Sequence, residues 1–349
     1  MVKTLPVPVS VLFIGGTGTI SASSVRLAAH QGMRVTVLNR GHNSQSRDLP
    51  EGIEWITADI SDRPAFERAL GERRWDAVVN FLTFNAEDAS YFARLFTGRT
   101  AQYIHISTAS LYHKPILQLP IVESTARLNP YVAYSREKIA AEDVLLAAFY
   151  ERGFPLTIVR PSHTYDEASP PVPGGWAVFD RIANGETVVV HGDGTSLWTV
   201  THAADLAVGL VGLIGNPRAI GESFHITSDD VYTWDQIYTL IAGALGTTAH
   251  LVHLPSAFFL AAAPEWGWSE LLMGDLGHSA VFDNTKIRRF VPDFAPVNTL
   301  HRSVLRMAAW RAEHPEVARG DAESAAVLER VVSGYAPAKA VFEGLNPDS

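Results

Sequence analysis

Two hydrophobic patterns take turns along the first half of the chain. Short β-branched apolar runs, such as VSVLFIG at 9–15, close on glycine or polar residues and predict buried strands. Longer stretches between them repeat apolar residues at helical spacing, as with Val25, Leu27 and Ala28 in SASSVRLAAHQG, where Gly32 suits the helix end. Further strand-type runs are RVTVLNR (34–40), IEWITADI (53–60), WDAVVNFL (75–82), AQYIHIST (101–108) and FPLTIVRP (154–161). Helical stretches lie around 64–72, 86–96 and 134–151. Strands alternating with helices predict βαβ units, a parallel sheet and right-handed crossovers.

After Pro161 the texture changes. DEASPPVPGGW (166–176) reads as a loop, of a length that is usually functional or mobile. A helix over 176–184, a strand at TVVVHG (187–192), a sheet-covering helix at HAADLAVGLVGLIG (202–215) and a strand at SFHITS (223–228) follow. From YTWDQIYTLIAGALG (232–246) onward the pattern is mostly helical, with about the last ten residues expected to fray.

Composition narrows the class. With 349 residues, 47% of them hydrophobic and 19% charged, the chain can bury one large core or two and lies far from the disordered regime. A net charge of −9 opposes general nucleic-acid binding, which needs a basic face. The absence of cysteine excludes disulfides, thiolate metal sites and cysteine nucleophiles. The 13 histidines show no HxxxH or HxH spacing, so no metal is expected. Pro6 and Pro8 interrupt the first apolar run, which reads as a first strand and not as a signal peptide. No run of about 18 apolar residues occurs, so no membrane span is expected and the cytoplasm is the default.

Candidate chemistry begins at VLFIGGTGTIS. Gly15, Gly16 and Gly18 follow a strand and open a helix, the context in which backbone N–H groups and a helix N-terminus face a pyrophosphate. Ser21 stands at the third glycine of the usual pattern and is still small. At the end of the second strand Asn39 takes the acidic position and Arg40 follows it. This favours NADP over NAD, because a carboxylate no longer repels a 2′-phosphate. Asp59 in TADISD can bond an adenine edge or cap the next helix.

YSREK places Tyr134 and Lys138 at i and i+4, neighbours on a helix. An ammonium that close is expected to lower the phenol's pKa, toward the range where proton transfer is efficient. The same spacing recurs in YAPAK, Tyr335 and Lys339, but Pro337 is expected to break that helix.

These pieces together resemble the extended short-chain dehydrogenase/reductase family, in its epimerase and dehydratase branch. The glycine loop, TADISD, YIHISTASLY, YSREK, VRPSHTY and GDGTSLWTVTHAADLA follow in the family's order, covering most of the chain to about residue 250. The resemblance implies an α/β fold, a doubly wound Rossmann sheet of about seven strands, with a smaller, mostly C-terminal substrate domain. The dinucleotide domain is expected over 1–165 with returning segments near 200–228, and the substrate region over 166–199 and 229–345. It implies Thr108, Tyr134 and Lys138 as catalytic residues, with Ser107 and Ser110 as neighbours open to confusion with Thr108. Contacts to the dinucleotide are then expected from Gly15, Gly16, Thr17, Gly18, Thr19, Ile20, Asn39, Arg40, Asp59, Ile60, Phe81, Tyr134, Lys138, Pro161 and His163. Substrate contacts are expected from Thr108, Ser110, His163, Trp176 and Trp198.

Two departures bear on substrate. Ala109 and Ser110 replace the carboxylates that sugar 4,6-dehydratases of this family carry after the threonine, which opposes that reaction. Trp198 stands where nucleotide-sugar members carry a diphosphate-binding arginine, so either Trp198 stacks on a ring, or it is packing and another arginine, such as Arg181, serves a phosphate. The expected activity is an NAD(P)-dependent oxidoreductase or epimerase working on a carbinol or carbonyl carbon of a sugar-like substrate, as a homodimer. The alternative is a non-catalytic NAD(P)- or RNA-binding regulator of the same fold.

Overall fold

The computed structural model describes residues 8–41, 49–316 and 322–345. Pro6 at the start and the last residues of the expected frayed tail, 346–349, lie outside the described residues. The first half runs β1 (Ser10–Ile14), α1 (Thr19–His30), β2 (Arg34–Asn39), β3 (Glu54–Thr57), α2 (Arg63–Leu70), β4 (Trp75–Asn80), α3 (Ala86–Phe96), β5 (Thr100–Ile106), α4 (Ala133–Arg152) and β6 (Leu156–Pro161). It continues with β7 (His163–Tyr165), α5 (Gly175–Ala183), β8 (Thr187–His191), β9 (Leu197–Trp198), β10 (Val200–His202), α6 (Ala203–Leu213) and β11 (Ser223–Ile226). The C-terminal part holds β12 (Tyr232–Thr233), α7 (Trp234–Ala244), β13 (His250–Leu254), α8 (Ser256–Ala262) and α9 (Ser269–Leu271). A π-helical turn follows at Leu272–Leu276, then α10 (Thr285–Phe290), α11 (Leu300–Glu313) and α12 (Ala322–Glu343).

Seven strands form one parallel sheet in the order β11-β6-β5-β4-β1-β2-β3, with β1 at the point where the winding reverses. The period of two explains why β1 is buried throughout: Val11 and Phe13 join a core with α1 and α6, while Leu12 and Ile14 join the opposite core with α2, α3 and α4. A third core gathers Trp176, Trp234, Tyr238, Val304 and Leu328 from the segments around β8–β13 and the last helices.

Under α4 lies a buried ion network. Arg160 on β6 donates Nε to Glu142 Oε1 at 2.9 Å and Nη2 to Oε2 at 2.6 Å, and Arg127 adds a bond at 3.0 Å. Burial alone would raise the Glu142 carboxyl, but the Arg160 charge and hydrogen bonds outweigh it and hold the group below the usual carboxylate range.

Pro337 does not break its helix. It sits inside α12, which continues to Glu343 and so also extends into the tail expected to fray. One missing N–H removes one ladder bond, and the helix bridges it because Val327, Leu328 and Val331 are already packed in the third core. Tyr335 packs partly buried against that core and Lys339 pairs with Glu343 at 3.4 Å, so YAPAK is a surface element of a packed helix.

Glu142→Gln leaves the Arg160 guanidinium buried without its counter-charge. Chemical denaturation should show a loss of about 3–5 kcal/mol; a change within measurement error would mean that the network is not holding α4 on the sheet.

Candidate active site

The turn after β1 and the N-terminus of α1 open onto a cleft of about 710 Å³ at the C-terminal edge of the sheet. A Cβ at Gly15 would come within 2.8 Å of Leu82, and one at Gly16 within 2.7 Å of Val37, so both glycines are required by close packing. Gly18 differs, because a Cβ there meets only Ser21 Oγ at 3.4 Å. Ser21 Oγ instead accepts the Gly18 N–H at 2.8 Å, and no side chain caps the helix from Gly18. This is a backbone cradle of the kind a pyrophosphate fills. Gly15, Thr17, Gly18, Thr19, Ile20, Asn39, Arg40, Asp59, Ile60, Phe81, Tyr134, Lys138 and Pro161 all line the cleft. Gly16 does not line it and supports the turn from behind.

The adenosine end is shaped by β2 and β3. Asn39 Oδ1 accepts the Gly41 N–H at 2.9 Å, and no carboxylate occupies the end of β2. Asp59 does not cap α2; Asp62 does, accepting the Ala65 N–H at 3.0 Å, while Asp59 accepts from the Ser61 N–H and hydroxyl.

At the other end, α4 carries Tyr134 and Lys138 on one face. Lys138 is 1% exposed, and its Nζ donates to the Thr83 carbonyl at 2.7 Å and the Ile106 carbonyl at 2.9 Å. Burial pulls its pKa down to about 8, with Glu142 the main charge working the other way. Tyr134 is 41% exposed and lines the cleft together with Thr108. The expectation that Lys138 lowers the Tyr134 pKa does not hold in this geometry. Burial pushes the phenol up to about 12, the neighbouring Thr108 hydroxyl works to lower it and Asp275 adds to the rise. The Lys138 Nζ, held by two backbone carbonyls, stands 5.8 Å from the centre of the Tyr134 ring.

Thr108 also accepts the Ser110 N–H at 3.2 Å, and Ser110 Oγ shares a 2.6 Å hydrogen bond with Ser135 Oγ. These residues open a second pocket of about 170 Å³, continuous with the cleft at Thr108, Tyr134, Pro161 and Ser162. His163 lines this second pocket and not the first, because strand alternation turns Ser162 and Thr164 to the dinucleotide side. Its ring stacks on Trp268 at 5.7 Å, and burial lowers its pKa to about 4, leaving it neutral. Trp198 is a wall of the same pocket.

Two sequence expectations fall away. Trp176 sits in the first turn of α5 instead of a loop facing the cleft, stacked on Trp310 at 5.7 Å with its Nε1 bonded to the Ala168 carbonyl, and lines neither pocket. Arg181 is turned to Glu329 and the Thr187 carbonyl, and lines neither pocket in which a phosphate could be served. His202 caps α6 through its Nδ1, a structural role. Sequence reading misses Trp268, Asp275 and Phe282 in the second pocket, and Lys114, which pairs with Asp275 at 2.8 Å. No spacing signal links these positions; only the folded chain brings them together.

A difference titration of phenolate absorbance between wild type and Tyr134→Phe checks this electrostatic reading. The missing phenol should be one that ionises only above about pH 11, since its pKa is raised from the ordinary value near 10. Ionisation below the ordinary value would mean that the Lys138 charge reaches the hydroxyl after all.

Comparison with known proteins agrees with this geometry. Residues 11–227 match the NAD dependent epimerase/dehydratase family. The chain is similar to 2′-dehydrokanamycin reductase of Streptomyces kanamyceticus, 26% identical over 92% of this chain and 89% of that protein. It is also similar to the chloroplast stem-loop binding protein of 41 kDa b of Arabidopsis thaliana, 27% identical over 68% of this chain and 63% of that one. Among solved structures, an epimerase from Methanothermobacter thermautotrophicus superposes with a TM-score of 0.72 at 18% identity, covering 89% of this chain and 94% of that chain. The glycine cradle, the parallel sheet and the match over more than half its length make this chain a member of the NAD dependent epimerase/dehydratase family, an NAD(P)-dependent oxidoreductase or epimerase.

Proposed function

We propose that the protein is an NADP-preferring reductase or dehydrogenase acting on a ring carbonyl or carbinol of a sugar-like substrate that bears no nucleotide diphosphate. The observation that carries this reading is the second pocket. It adjoins Thr108 and Tyr134, and among the described residues neither lysine nor arginine lines it. The similarity to a reductase whose name specifies a dehydro-aminoglycoside, over 92% of this chain, supports the same direction. In this reading segments 166–199 and 229–345 supply the substrate side.

The turn Gly15–Ile20 would hold the pyrophosphate, Asp59 and Ile60 the adenine, and Asn39 with Arg40 the ribose bearing a 2′-phosphate. A dinucleotide held there would supply the hydride donor for a carbonyl carbon or the hydride acceptor for a carbinol carbon. Thr108 bonds the substrate oxygen and Tyr134 moves the proton on that oxygen. Lys138 has two of its three N–H bonds fixed to backbone, and the third would be free for the nicotinamide ribose. The similarity to a stem-loop binding protein supports a second, non-catalytic reading, which a salt-sensitive RNA gel shift would reveal.

Tyr134→Phe should abolish turnover while leaving NADPH affinity within about twofold; unchanged turnover would remove Tyr134 from the reaction. With Lys138 lowered to about 8, its donating ammonium is lost as pH rises through that value. NADPH affinity should therefore fall between about pH 7 and about pH 9 in wild type and stay level in Lys138→Met. A level profile in both would separate Lys138 from the ribose.

A further inference from the structure

The start of α4 is held from far along the chain. Val132 caps the helix with no side chain, and Glu270 on α9 accepts the Ala133 N–H at 2.9 Å instead. Asn129, just before the helix, is fully buried. Its Oδ1 accepts the Tyr131 N–H at 3.1 Å, and its Nδ2 donates to the Ser110 carbonyl at 2.9 Å and the Gly274 carbonyl at 3.0 Å. One amide thus joins three segments: the loop after Thr108, the approach to Tyr134 and the π-helical turn. At that turn a Cβ on Gly274 would stand 2.5 Å from Tyr131 Cβ and 2.7 Å from a Val132 methyl, so any side chain there would push the segments apart.

Packing alone does not require this arrangement. Apolar side chains would join the same segments, whereas a buried amide with its donors and acceptor all used adds a fixed direction. π-helical turns are rare and occur frequently at functional positions. Here α9 and the turn bring Leu271, Asp275 and Leu276 into the second pocket beside Tyr134. Asp275 follows Gly274 directly, and its charge reaches the phenol. Lys138, His163 and Glu137 also stand around that ring, but they come from the body of α4 and from β7, outside this junction.

We propose that Asn129 and Gly274 are positioning residues for Tyr134, through which the π-helical turn, and not the sheet alone, fixes where the phenol stands. Asn129 acts by its two donated bonds, and Gly274 by leaving room for the turn to lie against Tyr131 and Val132. The inference rests on the proposed role of Tyr134 and adds to it the residues that set its place.

The test is the phenolate difference titration on the full chain, with and without Tyr134→Phe, repeated in two variants. Asn129→Ala removes the amide; Gly274→Ala wedges the turn away while removing no bonding group. In both, ionisation of the Tyr134 phenol should move from about pH 12 toward the ordinary value near 10, because burial and the Asp275 charge both weaken. NADP⁺ affinity should be unchanged, since neither residue lines the dinucleotide cleft. Arg181→Ala breaks a pair with Glu329 outside both pockets and controls for general loosening, so it should leave the phenol where it is. A phenol that stays near pH 12 in Gly274→Ala would overturn the proposal, as would an equal shift in Arg181→Ala. Should Asn129→Ala fail to fold, Gly274→Ala decides alone. Unchanged turnover in Tyr134→Phe would end the proposed function with the titration result still standing; an unmoved phenol in Gly274→Ala, with Tyr134 governing turnover, would end this inference alone.

Discussion

Burying the Lys138 ammonium is the constraint around which the site is organised. A lysine 1% exposed must find partners for its charge, and it finds them in the Thr83 and Ile106 carbonyls beyond β4 and at the end of β5. Those bonds tie α4 to the C-terminal edge of the sheet and set the height of Tyr134 above the cleft. Two carbonyls do not neutralise a cation, and Glu142, one helical turn further on, supplies the opposing charge. Glu142 in turn is held ionised by Arg160 and Arg127. Tyr134, Lys138 and Glu142 therefore occupy successive turns of one helix face and run from solvent to core. The Tyr134 phenol stays high in pKa because burial, with the Asp275 charge added, outweighs the Thr108 hydroxyl.

The remaining parts divide between the sheet and what is packed on it. Strand ends and the α1 N-terminus build a cleft whose shape depends on Gly15 and Gly16 being pressed against Leu82 and Val37. The later segments close the cleft with aromatic side chains and one buried ion pair, so the chemistry-bearing edge and the selective wall come from different stretches of chain. Among the described residues, Thr108, Tyr134, Pro161 and Ser162 line both pockets, and the proposed reaction would have its reacting atom there.

Much of this is legible in the unfolded chain. The run VLFI announces a strand buried on both faces, and a glycine turn between strand and helix has few other physical uses. Tyr134 and Lys138 are readable because a helix makes i and i+4 neighbours. Side chains whose direction depends on the partner element are not readable in this way. Trp176 and Arg181 lie on α5, and the third core decides that the indole turns to Trp310 and the guanidinium to Glu329. Pro337 misleads because packing of Leu328 and Val331 outweighs one lost ladder bond. The second-pocket wall leaves no trace in the sequence: Asp275 sits in a π-helical turn without a motif, and its partner Lys114 comes from before α4.

The proposal of an NADP-preferring reductase or dehydrogenase, which would exchange its dinucleotide each cycle, is tested most directly by denaturing the purified protein and identifying any released nucleotide by mass spectrometry. The expected result is a site without stoichiometric nucleotide that then binds NADPH more tightly than NADH. One equivalent of released NAD would contradict it, pointing to a retained cofactor and an epimerase-like cycle in which Asn39 and Arg40 do not select NADP.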